Sequence, residues 1–416
     1  MKKNYLILSL MLFGSFLFAA CGPTVYAESL NEPADSIASQ EANNDTAPAF
    51  TVEKTAIAPT PTLAPSVGLT KDNGNLGPDP ENFPKGTNPL TGLPASDPSF
   101  LNVPAVLVSI TNFPPSARPQ AGLSFAPYVF EIYISEGMTR FLTVFYGEYP
   151  KAGNQGNGSP SQNPAPEVGP IRSGRLPYVY IRDFFQNSCL VYASATEELR
   201  AKLRGCAIVY GSDAENINSA LLDVTRMQEI AVQNNNGNPF NYTGNMFSPA
   251  PLTAGQDAKT LNIFYSYLNQ AQWQYDPVAG TYLRFEDNAD GSGKFHPATD
   301  RLTGKQLHFE NVIVLMAPHK AIKPTIIDIQ LGIGNMGQAY LFRDGQMTPI
   351  YWSTVAGDYE KETGLRRPIR FVDAQGNAVA LKPGHTWVHV MTPASFLEQK
   401  EPGVWTARFY APAGSK

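Results

Sequence analysis

The chain has 416 residues, 43% of them hydrophobic, with 31 basic and 36 acidic side chains and a net charge of −5. That supplies apolar material for about two domains plus extras. It argues against a nucleic-acid partner, which selects a clustered basic face, because no basic run here is longer than a pair.

The first residues follow the pattern of an exported lipoprotein precursor. Lys2 and Lys3 make a basic start, and Tyr5 to Phe18 is apolar apart from Ser9, Gly14 and Ser15. Ala19 and Ala20 then put small residues before Cys21 and Gly22. This predicts a signal peptide over 1–20, since an apolar run of about fourteen residues is shorter than the ~20 a spanning helix needs. Cys21 is the expected lipidation site, its thiol carrying a diacylglycerol. Two or more acyl chains, at about 0.8 kcal/mol per buried methylene, attach a protein to a bilayer lastingly. An ordinary signal peptide with a chance cysteine is the plainer alternative.

Residues 21–85 read as a disordered linker. Glu28 to Asp45 is acidic and polar, and Ala58 to Pro65 alternates Pro and Thr. Such segments bury too little apolar surface to offset their ordering entropy, and the Pro/Thr part favours an extended, semi-rigid spacer.

Pro104–Ile110, Tyr128–Ser135 and Phe141–Tyr146 read as strands, the last two joined as an antiparallel hairpin with a longer loop around Glu136 to Thr139. Lys151 to Glu167 is an exposed Gly/Asn/Ser/Pro insert. Leu176, Val179, Tyr180 and Phe184 have helical spacing, with Pro177 in the first turn. A strand from Cys189 leads to a capping box at Ser194–Glu197 and a helix to Leu203. A strand over 206–210 and a helix over Ala214–Asp223 follow, and Leu261, Phe264, Tyr265 and Leu268 suggest another helix.

Beyond Trp273 the pattern changes to short strands: a hairpin over Gln274–Phe285, strands at Asn311–Leu315 and Thr325–Gln330, and a hairpin closed by Asp344-Gly345. Gly376-Asn377 turns Ile369–Asp373 back into Ala378–Leu381, and Thr386–Val390 closes the set. The fold class is therefore α+β in two domains. An N-terminal mixed α/β-sheet domain spans 86–258, and a smaller, mostly β domain spans 259–412.

Of the three cysteines, Cys189 and Cys206 remain after lipidation, each opening a strand with a helix between them. In an oxidising exterior they form a disulfide if the strands are parallel neighbours; two buried thiols are the alternative. Polar residues concentrate around the first hairpin: Arg118, Glu131, Glu136, Thr139 and Arg140, then Arg172, Ser173 and Arg175 where a strand passes into a helix. Glu131 lies on a strand that otherwise reads as core, so it must meet a partner or shift its pKa. Arginine, with its bidentate fork, is the natural one. Three readings stay open: a structural Arg–Glu network, an anion site for phosphate or carboxylate, and an acid/base pair of Glu131 with Glu136.

Gly332 to Gly337 spells a dinucleotide fingerprint but runs into a strand, so it reads as a glycine-rich connection. The five histidines show no metal spacing and read as solvated or core residues, and the tryptophans as core. No metal and no cofactor is called for, and no catalytic residue is identified.

Asn88-Pro-Leu-Thr-Gly92, Ala117-Arg-Pro-Gln-Ala-Gly-Leu123, Glu131 to Gly137, Thr139-Arg-Phe141 and Val168-Gly-Pro-Ile-Arg-Ser173, taken with Asn311-Val-Ile-Val314, Phe342-Arg-Asp-Gly345, Trp352 and Gly384-His-Thr-Trp387, resemble the YerB-like family of bacterial lipoproteins over about 88–410. The resemblance implies a lipoprotein with an N-terminal α+β domain and a smaller C-terminal one, of unassigned activity. Its motifs fall on Arg118, Glu131, Glu136, Arg140, Arg172 and Arg175. The chain departs from the pattern at Ile110 to Asn112, where an acidic residue is expected before Asn, in the Leu-Pro after Arg175, and at Asn241-Tyr-Thr243 in place of a Pro-His-Asn stretch.

The expected function is that of an extracytoplasmic binding module held at the bilayer through acylated Cys21. Its partner is a wall polymer, an anionic ligand or an envelope protein. An envelope hydrolase using Glu131 or Glu136 as acid or base is the alternative.

Overall fold

A computed structural model of the protein describes residues 75–78, 80–150 and 166–415. The expected signal peptide, Cys21, most of the expected linker and residues 151–165 of the insert lie outside the described residues. Ordered structure begins earlier than composition suggests. Leu76 exchanges backbone hydrogen bonds of 2.9 and 2.8 Å with Phe247, and the rings of Phe83 and Phe247 meet edge to face. The surface that orders residues 76–83 comes from residue 247, which local composition does not reveal.

Three strands open the fold: β1 (Val106–Thr111), β2 (Tyr128–Ser135) and β3 (Met138–Phe145). β1 and β2 are buried at every position, as expected for β-branched and aromatic runs covered on both faces. β2 and β3 are antiparallel, with Ser135 opposite Met138. Their loop is thus two residues, Glu136 and Gly137, both at positive φ (53° and 72°). This tight turn replaces the longer loop expected, because its twist matches that of the flanking strands.

Helix α1 (Tyr178–Phe184) starts behind Pro177 as predicted. β4 (Cys189–Tyr192) lies parallel to β1, and β5 (Ala207–Ile208) lies parallel to β4, with α2 (Glu197–Leu203) between them in sequence. The expected capping box does not form. Thr196 is the N-cap and makes no side-chain cap bond, while the Ser194 hydroxyl is engaged by Ser173 at 2.7 Å. The helix expected over 214–223 is absent as well. Asp213 and Asn216 each accept a backbone N–H two residues on, at 2.9 Å, and such local bonds compete with helix. Asp223 instead caps α3 (Val224–Gln233), accepting the N–H groups of Thr225 and Arg226.

The helix expected around 261–268 is a strand, β6 (Gln256–Ser266). Leu261, Ile263 and Tyr265 are buried and alternate with less buried Asn262 and Phe264, a period of two rather than 3.6. β7 (Asn269–Asp276), β8 (Thr281–Asp287), β9 (Asn311–Met316), β10 (Met336–Arg343), β11 (Gln346–Ser353), β12 (Arg370–Val372) and β13 (Thr386–Met391) follow. A closing hairpin that the sequence reading missed joins β14 (Phe396–Glu401) to β15 (Gly403–Arg408).

The strands do not separate into an 86–258 sheet and a 259–412 sheet. β2 runs parallel to β13, and β13 runs parallel to β9. One sheet therefore passes from the first half of the chain into the second, in the order β5-β4-β1-β3-β2-β13-β9-β10-β11-β12. The described residues form a single compact unit. β8-β7-β6-β15-β14 form a second layer, touching the first where Gln346 and Met347 pair with Asp257 and Gln256. The second half is mostly strand, and α1 to α3 all belong to the first half.

Candidate functional site

Side chains alternate across a strand, so Thr139 and Phe141 face one side of the β2–β3 hairpin and Arg140 the other. Glu131 is opposite Phe141 and beside His389, while Arg140 is opposite Ile132 and Thr111. The polar residues read from the sequence as one cluster therefore divide between two faces of the sheet.

On the first face Glu131 is only 1% exposed. Its Oε1 accepts from Thr139 Oγ1 at 2.8 Å and its Oε2 from Trp387 Nε1 at 3.2 Å. His389 Nδ1 lies 3.2 Å and Arg284 Nη2 3.7 Å from the same Oε2. Arg284 comes from β8 of the second layer and is itself 2% exposed. Its guanidinium lies 4.5 Å over the Trp387 ring and 5.6 Å from those of Phe141 and Trp273, a cation held against aromatic faces. Trp273 Nε1 donates to His389 Nε2 at 2.9 Å. That nitrogen must therefore be unprotonated, and the imidazole is neutral with its proton on Nδ1. Burial, aided by Arg284 and opposed by Glu131, holds His389 below its usual range. Burial alone would raise the Glu131 carboxyl, but His389, Arg284 and Thr139 outweigh it and hold Glu131 ionised, down at about 2.

Arg118 joins this side rather than the other arginines. Its Nε is 3.3 Å from Glu286 and its Nη1 3.2 Å from Asp287, and its Nη1 also donates to the Asp287 carbonyl at 2.7 Å. Asn112 donates to Thr139 at 2.8 Å and to Asn269 at 3.2 Å, which continues the network. These charges meet opposite charges in a site closed to solvent. Glu131 has no access to water, and Glu136 stands exposed at the hairpin tip. The two carboxylates considered as an acid/base pair do not share a cleft.

On the opposite face the segment from Ile171 to Gly174 wedges between the carboxyl ends of parallel β1 and β4. Arg172 N donates to Ser109 O at 2.9 Å, Ala193 N to Arg172 O at 3.0 Å, and Gly174 N to Ser194 O at 2.8 Å. This brings Arg172, Ser173 and Arg175 to Arg140, whose Nη1 donates to Ser173 O at 2.8 Å. Arg175 Nη1 reaches Gly174 O at 3.1 Å, and Arg172 Nη2 reaches Asn218 Oδ1 at 3.3 Å. The Nε groups of Arg140 and Arg175 are buried with no hydrogen-bond acceptor. Among the described residues no carboxylate pairs with any of the three. Burial, and then the charges of Arg175 and Arg172 against the opposing Tyr178, hold Arg140 down at about 9. Burial lowers Arg172 and Arg175 too. Below them Tyr178 OH meets Ser109 Oγ at 3.2 Å. Arg172 and Ser173 are half-exposed and form the approach from solvent.

A disulfide joins Cys189 and Cys206, with Cα atoms 5.4 Å apart, where β4 lies beside β5. A groove of about 660 Å³ lies on the outer side of α1, lined by Leu176, Val179, Arg182, Leu199 and Ile322 among others. Here Arg182 is already bonded to the carbonyls of Leu203 and Arg204, at 2.7 and 2.8 Å.

Sequence reasoning missed Arg284, Glu286, Asp287 and Ser194. It also placed His389 and the tryptophans in the core without seeing that they bind Glu131. The one available signal was the spacing of Trp387 and His389, which put both on one face of a strand.

Residues 90–242 match the model described as "Protein of unknown function (DUF3048) N-terminal domain", and residues 261–388 match that of the DUF3048 C-terminal domain. The chain is 25% identical over 329 residues to "Putative lipoprotein YerB" of Bacillus subtilis (strain 168), covering 75% of this chain and 88% of that one. The crystal structure of YerB protein from Bacillus subtilis superposes with a TM-score of 0.54 at 24% identity, over 73% of this chain and 96% of that chain. This is a likeness of fold.

Proposed function

The chain belongs to the DUF3048 family, and we propose that it is a lipid-anchored extracytoplasmic protein whose folded part binds an anionic ligand of the cell envelope at Arg140, Arg172 and Arg175. The sequence around Cys21 and the likeness to a relative described as a lipoprotein support the anchor. A spacer of about 50 residues between Cys21 and the start of the fold at Leu76, at up to about 3.1 Å each, then carries the folded part away from the bilayer.

Arg140 carries the binding reading. It is a cation 7% exposed with a buried Nε–H lacking an acceptor, beside two further arginines and no carboxylate among the described residues. Buried polar groups are ordinarily satisfied, and buried charges are ordinarily paired. Unsatisfied buried atoms occur elsewhere too, Arg284 Nη1 and Asp287 Oδ2 among them, but other buried arginines have a carboxylate beside them: Arg367 meets Glu360 at 2.7 Å and Arg343 meets Asp344 at 2.8 Å. An anion from outside the chain completes the cluster.

Thermal unfolding of the full chain in maltoside micelles, with anionic and neutral wall fragments, tests the site. Anionic fragments raise the melting temperature, and Arg172→Ala removes the rise. An unchanged rise in the variant, or none in the parent protein, contradicts the reading. Cys21→Ala shifts the protein from the membrane to the soluble fraction; retention in the membrane contradicts the anchor.

A further inference from the structure

Resting on the anion-binding reading above, we propose that the group held by Arg140, Arg172 and Arg175 is a phosphoryl oxyanion, either free phosphate or phosphate carried in a polymer, and not a carboxylate.

Charge is the first reason. Three guanidiniums stand together with no carboxylate of the described chain to balance them. A carboxylate brings one negative charge, whereas a terminal phosphate brings about 1.5 to 2 at neutral pH. A phosphodiester polymer brings one charge per unit and presents several in succession. The chain itself balances arginine with carboxylates where one suffices, as at Glu360, whose Oε1 lies 2.7 Å from Arg367 and also meets Arg370.

The second reason is the direction of the donors. Arg140 projects from β3, while Arg172 and Arg175 come from the wedge between β1 and β4. The unsatisfied Nε groups thus belong to side chains on separate backbone elements. A carboxylate offers two oxygens in one plane, well matched to a single arginine fork. A terminal phosphate offers three outward oxygens and a phosphodiester two, in either case arranged tetrahedrally about phosphorus with the ester oxygens, so that donors approach from several sides.

Neutral hydroxyls supply the third reason. Ser173 Oγ and Ser194 Oγ lie 2.7 Å apart at the exposed edge. In such a pair one hydroxyl proton is shared inside and the other remains to be donated outward. Phosphate oxygens, richer in lone pairs than one carboxylate, accept that extra bond. The cluster also sits at the carboxyl ends of parallel strands, where open sheets place their ligands.

Isothermal titration calorimetry on the full chain in maltoside micelles at fixed ionic strength decides the matter. The titrants are inorganic phosphate, poly(glycerol phosphate), citrate and polyglutamate. At least one phosphate titrant is expected to bind ten times or more tighter than either carboxylate. Arg172→Ala weakens that binding tenfold or more, Arg172→Lys by less, and Lys320→Ala not at all. Arg172 is half-exposed, so both of its variants fold, and an unchanged melting temperature in ligand-free buffer verifies it. Tighter binding of inorganic phosphate assigns the site to a terminal or free phosphate. Tighter binding of the polymer assigns it to a chain of phosphodiesters. Citrate or polyglutamate binding as tightly as phosphate overturns the phosphoryl assignment and leaves the anion site standing. No heat with any of the four, or equal affinity in Arg172→Ala, overturns both.

Discussion

Glu131 and Arg140 stand on adjacent strands of one hairpin, yet their surroundings are opposites. Around Glu131 charges of both signs meet: Arg284, His389, Trp387 and Thr139 converge on one carboxylate, and Arg118 is answered by Glu286 and Asp287, although Arg284 Nη1 and Asp287 Oδ2 have no hydrogen-bond partner. Around Arg140 three cations gather and only carbonyls and an amide meet them. The difference separates a charge network that spans two layers from a cluster of three cations with no carboxylate partner among the described residues. A one-residue step along β3 is all that divides them, because that step reverses the face of the sheet.

The largest effect is expected from truncating one arginine on each side. Arg284→Met leaves the Glu131 carboxylate buried without its cation and costs about 3–5 kcal/mol, as for one partner of a buried pair. Arg140→Met removes a cation that has no counter-charge. It changes stability by less than about 1 kcal/mol or raises it, since replacing a buried charge by apolar bulk is often neutral or stabilising. Urea unfolding measures both, and equal losses would break the comparison.

The disulfide joins the neighbouring strands β4 and β5 at the edge of the first sheet. Cys189→Ser with Cys206→Ser, opening a link across a separation of 17 residues, costs about 2–4 kcal/mol. It leaves the acid response of the Glu131 network unchanged. An altered acid response would show that this edge of the sheet and the network are coupled.

Acid sharpens the contrast further. His389 is held below 6.5 in the folded protein, so the unfolded chain takes up its proton first and stability falls as pH drops below 6.5. Glu131 is lowered from 4.5 to about 2, so its contribution is present above 4.5 and lost as pH falls from there through about 2. Arg140 behaves the other way. Lowered to about 9, well below its ordinary range, it destabilises the fold while charged, and the fold gains stability as pH rises above about 9. Urea unfolding against pH reads the acid limb. A flat profile between pH 6.5 and 2 would contradict the buried network.

The smallest effect concerns Glu136. An L-residue at positive φ is strained, and Asn tolerates that position in a two-residue turn. Glu136→Asn is therefore expected to stabilise by about 0.5–1 kcal/mol and leave anion affinity unchanged. Lost affinity would return Glu136 to the site.

Much of the architecture was legible because local pattern and tertiary fate agreed. Tyr128–Ser135 is a strand by composition and by burial, and Asp344-Gly345 closes a hairpin as its residue types require. Where they disagreed, distant partners decided. Leu261 to Leu268 fits helical spacing but is drawn into a strand by β7 and β15. The two halves match separate N- and C-terminal family domains, but the sheet they share was not legible for the same reason: nothing near Tyr128 shows that Thr386 will pair with it. Of the eight residues read as one cluster, the structure brings Arg140, Arg172, Ser173 and Arg175 together and sets Arg118, Glu131, Glu136 and Thr139 apart from them, because alternation along β3 divides the hairpin between two faces. Glu131 was rightly expected to need an arginine, but that arginine is Arg284, 153 positions along the chain and recruited from the second layer.

Thermal unfolding in phosphate and in chloride at matched ionic strength, on the parent protein and on Arg140→Met, tests the central claim most directly. A site that awaits an anion predicts a higher melting temperature in phosphate for the parent and none for Arg140→Met, although the variant is folded. A bound anion at 100 times its dissociation constant stabilises by about 2.7 kcal/mol, enough to read clearly. Equal stabilisation of both proteins by phosphate would contradict the account.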